Sequence, residues 1–254
     1  MKKALTIGGA VLGVLLAAAL VIFIFFPGLP TYLKVKHKFG HTDEKLSYFT
    51  ASEVPGSFES HTLKGVRFST PSDWVPHSAI EGMEPGSYRA GDGYSIFVNK
   101  NDYKEDAELR EGNEAILSAY DPWEAYKYNE ADYRHFYKSI GIELPQYGLP
   151  DRLLWYTRDG FTSKDCLKLR GKDKDVFMEL AQTKEEAVEW EKLEKLKGSG
   201  FTAYAGQEIH GSYNGDLWSI TIYPDSDKNQ YYWVMLKCPD ETLAKQIISS
   251  LELE

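Results

Sequence analysis

The sequence predicts an α+β protein: an N-terminal transmembrane helix, then an antiparallel sheet with packed helices and a helical insertion. Three observations lead there. Residues Ala4 to Phe26 form an uncharged apolar run of 23 residues, with Thr6 its one mildly polar member. Two later stretches, 63–99 and 201–237, alternate apolar and polar side chains with the period of a half-buried strand. Between them, from Glu105 to Lys197, β-branched residues thin out and helical spacing takes over.

As a helix rising about 1.5 Å per residue, the run 4–26 would extend about 34 Å, enough to cross a bilayer's hydrocarbon core. Met1-Lys2-Lys3 ahead of it resembles the start of an export signal. The apolar core exceeds that of a cleaved signal, and a cut after Ala17–Ala19 would leave a mature end reading Leu-Val-Ile-Phe-Ile-Phe-Phe. The expectation is an uncleaved single-pass anchor that attaches the chain to the membrane through residues 4–26. Lys2 and Lys3 on one side nearly balance Lys34, Lys36 and Lys38 on the other. The signal-like start places the large domain outside the cell membrane.

The net charge is −9, leaving −11 once Lys2 and Lys3 are set aside. Such a surface repels polyanions, so nucleic acid is not an expected partner. An aromatic content of 14% is enough to build a core, which argues against a disordered stalk. The two cysteines, Cys166 and Cys238, are too few for a disulfide framework or a metal cluster; one bridge or two buried thiols are both open.

After the anchor, 27–62 reads as a linker rich in Pro and Gly. Residues 63–254 then form one α+β domain, with the helical block 105–197 inserted. In its first β portion Val66 and Phe68 flank Arg67, Pro71-Ser72-Asp73 stops the strand before Trp74, and Tyr94, Ile96 and Val98 alternate behind a tight turn at Asp92-Gly93. In the block, Asp121-Pro122 is expected to start a helix carrying Trp123, Tyr126, Tyr133 and Tyr137 near one face. A short helix is expected around 151–156 and a long one over 177–197. In the second β portion, Asn214-Gly215 predicts a two-residue hairpin turn, followed by Trp218, Ile220 and Ile222 on one face and then Tyr232, Val234 and Leu236. Asp240 opens a closing helix whose stripe is Leu243, Ile247, Ile248 and Leu251.

The stretch Gly65-Val66-Arg67-Phe68-Ser69-Thr70-Pro71-Ser72-Asp73-Trp74 and the ending Ile247-Ile248-Ser249-Ser250-Leu251 resemble the opening strand and closing helix of the PsbP-like α/β/α sandwich group. The resemblance covers roughly 63–99 and 201–253. It implies a binding or assembly accessory and not an enzyme, by analogy of fold alone.

No residue pattern names a reaction. His37 and His41 sit in the linker without further ligands, and Asp225-Ser226-Asp227 departs from a calcium loop at Gln230 and Leu236, so no metal or cofactor is expected. Serine-hydrolase motifs are missing from the sequence. The best nucleophile set is Cys166 with His210 and Asp216, which would make the chain a cell-envelope cysteine hydrolase. The leading expectation is instead a membrane-tethered extracytoplasmic binding or assembly module without catalysis. Its partner would be another envelope protein or a cell-wall component, met by the aromatic-rich block. If Trp123, Tyr126 and Tyr133 are core, the binding face falls to Tyr128 and Arg134, with Trp123 as the remaining aromatic candidate. Mixed-charge runs such as Lys184-Glu185-Glu186 are expected on a solvated face.

Overall fold

The structure is a computed structural model that describes residues 2–78, 84–111, 123–124, 126–208 and 215–254. Helix α1 (Lys2–Phe25) takes up the apolar run. It breaks at Phe26–Gly28 and α2 (Leu29–Lys38) leaves it at 79°. Among the described residues no single helix is long and apolar enough to cross a membrane; the bent pair Val14–Phe25 and Leu29–Lys38 reaches that standard together.

The stretch 27–62 is more ordered than its composition suggests. It holds α2, β1 (Ser47–Tyr48) and most of β2 (Glu59–Leu63). Pro30 lies in the first turn of α2, where a missing N–H costs nothing. Val35 is its one fully buried side chain, so no apolar stripe advertised the helix. Strand β2 turns through Lys64-Gly65 into β3 (Val66–Thr70), both turn residues having positive φ (51° and 88°), as a two-residue hairpin demands. After β4 (Val75–His77), β5 (Ser87–Ala90) and β6 (Tyr94–Asp102) form a hairpin around Asp92-Gly93.

The Asp102 carboxylate caps α3 (Tyr103–Glu111) by accepting from the Lys104 and Glu105 amides. The helix start expected at Asp121-Pro122 lies outside the described residues. The next described helix, α4 (Glu130–Ser139), begins behind Asn129, whose side chain accepts from the Asp132 amide, and Gly141 (φ 82°) follows its end. Helix α5 (Leu149–Asp159) extends the expected 151–156 helix at both ends. A 3₁₀ helix (Ser163–Lys168) opens on a capping box between Thr162 and Asp165.

Helix α6 (Asp173–Trp190) stops short of the expected 197, and Glu191–Gly198 is strand β7. The spacing of Leu193 and Leu196 suggested a helix, but pairing with β8 (Phe201–Glu208) across a turn containing Gly200 (φ 79°) supplies the ladder that decides the matter. β8 then pairs with β9 (Leu217–Pro224). Asn214 of the expected turn lies outside the described residues, and Gly215 has φ 92°. β10 (Gln230–Lys237), α7 (Glu241–Ser249) and β11 (Glu252–Leu253) complete the chain, with Asp240 capping α7 through the Leu243 amide.

These elements form two compact units. The first comprises 1–45, 122–144 and 153–186, the second 46–121, 145–152 and 187–254. The second unit contains the eight-stranded sheet β1-β7-β8-β9-β10-β6-β5-β4, antiparallel except for β1 with β7, and the three-stranded sheet β11-β3-β2. Alternation puts Trp218, Ile220, Ile222, Val234, Leu236, Ile96 and Val98 on one face of the large sheet, all buried with Val66, Phe68, Ile247 and Ile248. The predicted α+β class and the predicted membership of this core therefore hold. A second cluster stands at the sheet's far end: the Arg152 guanidinium lies 4.6 Å from the ring centres of both Tyr103 and Tyr223, and Tyr103 stacks on Tyr231 at 4.2 Å.

The first unit packs an aromatic core in which the Phe136, Phe161 and Phe177 ring centres lie 5.3–6.1 Å apart. Gly28 joins α2 to the 3₁₀ helix: its amide donates to Leu167 O at 3.0 Å, and a Cβ there would stand 1.7 Å from Cys166 O.

Candidate functional site

Helix α6 presents Asp175, Met178, Glu179, Gln182, Thr183 and Glu186 at helical spacing along one stripe. Lys34 and Lys38 of α2, Phe39 just after it and the Lys127-Tyr128 segment stand opposite, and together they enclose a cleft of about 620 Å³. Tyr128 reaches it because Asn129, one residue later, is held in extended backbone as the cap of α4. The Tyr128 ring is half-buried, packs edge-on to Tyr133 at 6.3 Å, and carries Lys127 and Lys172 ammonium groups at 5.4 and 5.5 Å from its centre.

Glu179, one of the lining residues, is paired with a phenol. Tyr133 Oη is 3.1 Å from both oxygens of Glu179. Burial raises the Glu179 carboxyl above its ordinary value, against the hydrogen bond from Tyr133, and burial likewise raises the Tyr133 phenol. The wall residues carry three lysines against three carboxylates, so the cleft suits a polar ligand or partner segment with an aromatic contact at Tyr128.

The other expected binding residues are placed elsewhere. Trp123 is half-buried and stacks on Tyr133 at 5.7 Å and 15°. Arg134 is paired along α4 with Glu130, its Nε 2.7 Å from Oε1, and lines a separate cavity of about 410 Å³ with Lys138, Gly141, Ile142, Glu143 and Leu144. Tyr128 and Arg134 therefore serve two cavities instead of one face, because Tyr128 precedes the helix and does not follow its periodicity.

Cys166 is fully buried, with its thiol directed at Ser163 O at 3.1 Å. Burial, aided by Asp165, pushes the thiol up to about 12, the reverse of what a nucleophile needs. His210 lies outside the described residues. Asp216 accepts the Cys238 amide through its backbone oxygen. Cys238 is also buried, and burial raises its thiol to about 11; both cysteines are free thiols.

Sequence reasoning missed a buried cationic cluster. Lys184 is fully buried, although its run Lys184-Glu185-Glu186 was expected on a solvated face. Its ammonium donates to Phe161 O at 3.0 Å and sits 5.1 Å over the Phe161 ring. Arg158, also buried, donates to Lys184 O at 3.0 Å. Burial first, then Arg158 and Lys45, lower the Lys184 ammonium to about 8. Glu185 is turned back to accept the Gly40 and His41 amides. Charge alternation alone cannot show which member of such a run faces inward.

No protein-family model matches the sequence, and no curated protein matches it. Among solved structures, the chain is similar to the solution structure of cyanobacterial PsbP (CyanoP) from Synechocystis sp. PCC 6803. The match has 11% identity and a TM-score of 0.31, over 80% of this chain and 98% of that one.

Proposed function

We propose that this chain is a membrane-tethered, extracytoplasmic binding or assembly module without catalysis, anchored by residues 4–26, whose cleft beside Tyr128 receives another envelope protein or a cell-wall component. The observation that carries the reading is the cleft itself: about 620 Å³, lined by charged side chains of both signs and by the rings of Tyr128 and Phe39. The apolar side chains Val14–Phe26, which are exposed along the helix, support the tether. The raised thiol of Cys166 gives the hydrolase reading no support.

The test is capture from solubilised envelopes with the full chain as bait. Tyr128→Ala should weaken capture about tenfold or more, as loss of an aromatic anchor does, while Arg134→Ala, in the other cavity, should leave it unchanged. Capture indifferent to Tyr128 but abolished by changes on the outer face of strands 201–237 would move the functional surface to the sheet. Protease added outside intact, wall-opened cells should digest the large domain; protection until lysis would reverse the orientation.

A further inference from the structure

We infer that α2 is an interfacial helix that lies in the headgroup layer of the bilayer and, with the 3₁₀ segment beside it, binds anionic phospholipid headgroups. The inference rests on the tether proposed above. Four independent features of the first unit meet in it.

The first is direction. Residues Leu29–Lys38 leave Val14–Phe25 at 79°. If α1 crosses the bilayer near its normal, α2 runs close to the membrane plane, within two or three residues of the point of exit.

The second is the face α2 leaves uncovered. Pro30, Leu33 and His37 recur at helical spacing and are all exposed, with Leu33 at 59%, and Lys34 stands where this face borders the cleft. The opposite side is occupied, since Val35 is fully buried and Gly28 is locked onto Leu167. An apolar side chain on the free face of a short helix, with a lysine at the edge of that face, suits a helix that lies on a membrane surface.

The third is continuity. Phe25 and Phe26, at 65% and 43% exposed, lead directly from the exposed apolar helix into this face. A bilayer that covers α1 would therefore reach α2 without a polar interruption.

The fourth is charge. The chain is acidic overall, yet Lys164, Lys168, Arg170 and Lys172 are all exposed within a segment held at the foot of α1. Arg170 donates to Ile24 O at 3.2 Å, which fixes this segment at the end of the apolar helix. Lys168 follows Leu167, the partner of Gly28. Lys164, Lys168 and Arg170, with Lys34, place a group of cations where headgroup phosphates would stand, while Lys36 and Lys172 are already neutralised by Asp43 at 2.8 Å and Asp132 at 2.7 Å.

The experiment reconstitutes the full chain into phosphatidylcholine vesicles with and without phosphatidylglycerol. A Leu33→Cys variant takes an environment-sensitive fluorophore selectively, because Cys166 and Cys238 are buried. Label at position 33 should be quenched by shallow nitroxide lipids, several-fold more in vesicles with phosphatidylglycerol. The excess should vanish in high salt or in a K168E/R170E background. In the unlabelled wild-type chain, amine acylation of Lys168 should slow several-fold in the anionic vesicles, a readout that needs no substitution. A chain that floats with the vesicles while position 33 remains in water overturns the interfacial helix and leaves the tether standing. Equal quenching and acylation in neutral vesicles overturns the recognition of anionic headgroups. A chain that fails to float with either composition overturns the tether and this inference with it.

Discussion

Replacing Lys184 with Met should remove a specific pH dependence of stability from the first unit. The ammonium is fully buried and lowered to about 8 from an ordinary 10.5. The unfolded chain therefore binds its proton more tightly than the folded chain. Stability contributed by this group is complete above the unfolded value and is lost as pH falls through the folded one. The full difference corresponds to about 3 kcal/mol between pH 10.5 and neutrality, an upper figure that water penetration reduces. At neutral pH the comparison with Lys184→Met is indecisive. The variant sheds the buried charge but leaves Phe161 O without its donor, a cost of about 1–3 kcal/mol. The slope is decisive. Between about pH 7 and pH 10 the wild type should gain about 2–3 kcal/mol relative to Lys184→Met, since all other titrations are common to both. Denaturant midpoints of the full chain in detergent, measured in steps across that range, provide the assay. A difference that remains flat with pH would show that Lys184 is solvated in the folded protein and would refute the reasoning.

Three further outcomes follow from single contacts. Gly28→Ala cannot be seated against Cys166 O without displacing backbone; it should cost about 1–3 kcal/mol and expose Cys166 to thiol reagents that leave the wild type unlabelled, and unchanged protection would contradict the docking of α2. Arg152→Lys loses the planar stack between Tyr103 and Tyr223; it should lower stability by about 1–2 kcal/mol and alter the near-ultraviolet tyrosine dichroism, with an unaltered spectrum counting against the stack. Ile222→Ala, in the centre of the sheet core, should cost about 2–5 kcal/mol, and an unmoved unfolding midpoint would remove it from that core.

The sheet was legible because its signals are local. Alternation in β6, β9 and β10 has only one way to bury Ile96, Val98, Ile220, Ile222, Val234 and Leu236 together, and a one-residue slip would turn them all to solvent. Turn chemistry at Asp92-Gly93 and the Asp240 cap belongs to the same class of short-range information. The end of α6 was not legible, since Glu191–Gly198 has spacing compatible with a helix and becomes a strand only through its partner β8.

The candidate site divides in the same way. Composition marked Tyr128 as the aromatic outside the helical stripe, and it lines the cleft. Its separation from Arg134 depended on where α4 begins, which the Asn129 cap decides.

By itself the sequence determined the α+β class, the core face of each long strand and the apolar character of residues 4–26, because periodicity and hydropathy act through neighbours in the chain. Only the tertiary structure decided that Lys184 faces inward while Glu185 turns back to the Gly40 and His41 amides, and that α2 closes a cleft against α6. Those outcomes depend on which distant backbone oxygen or side chain arrives to satisfy a buried charge, and no pattern along the chain encodes that partner.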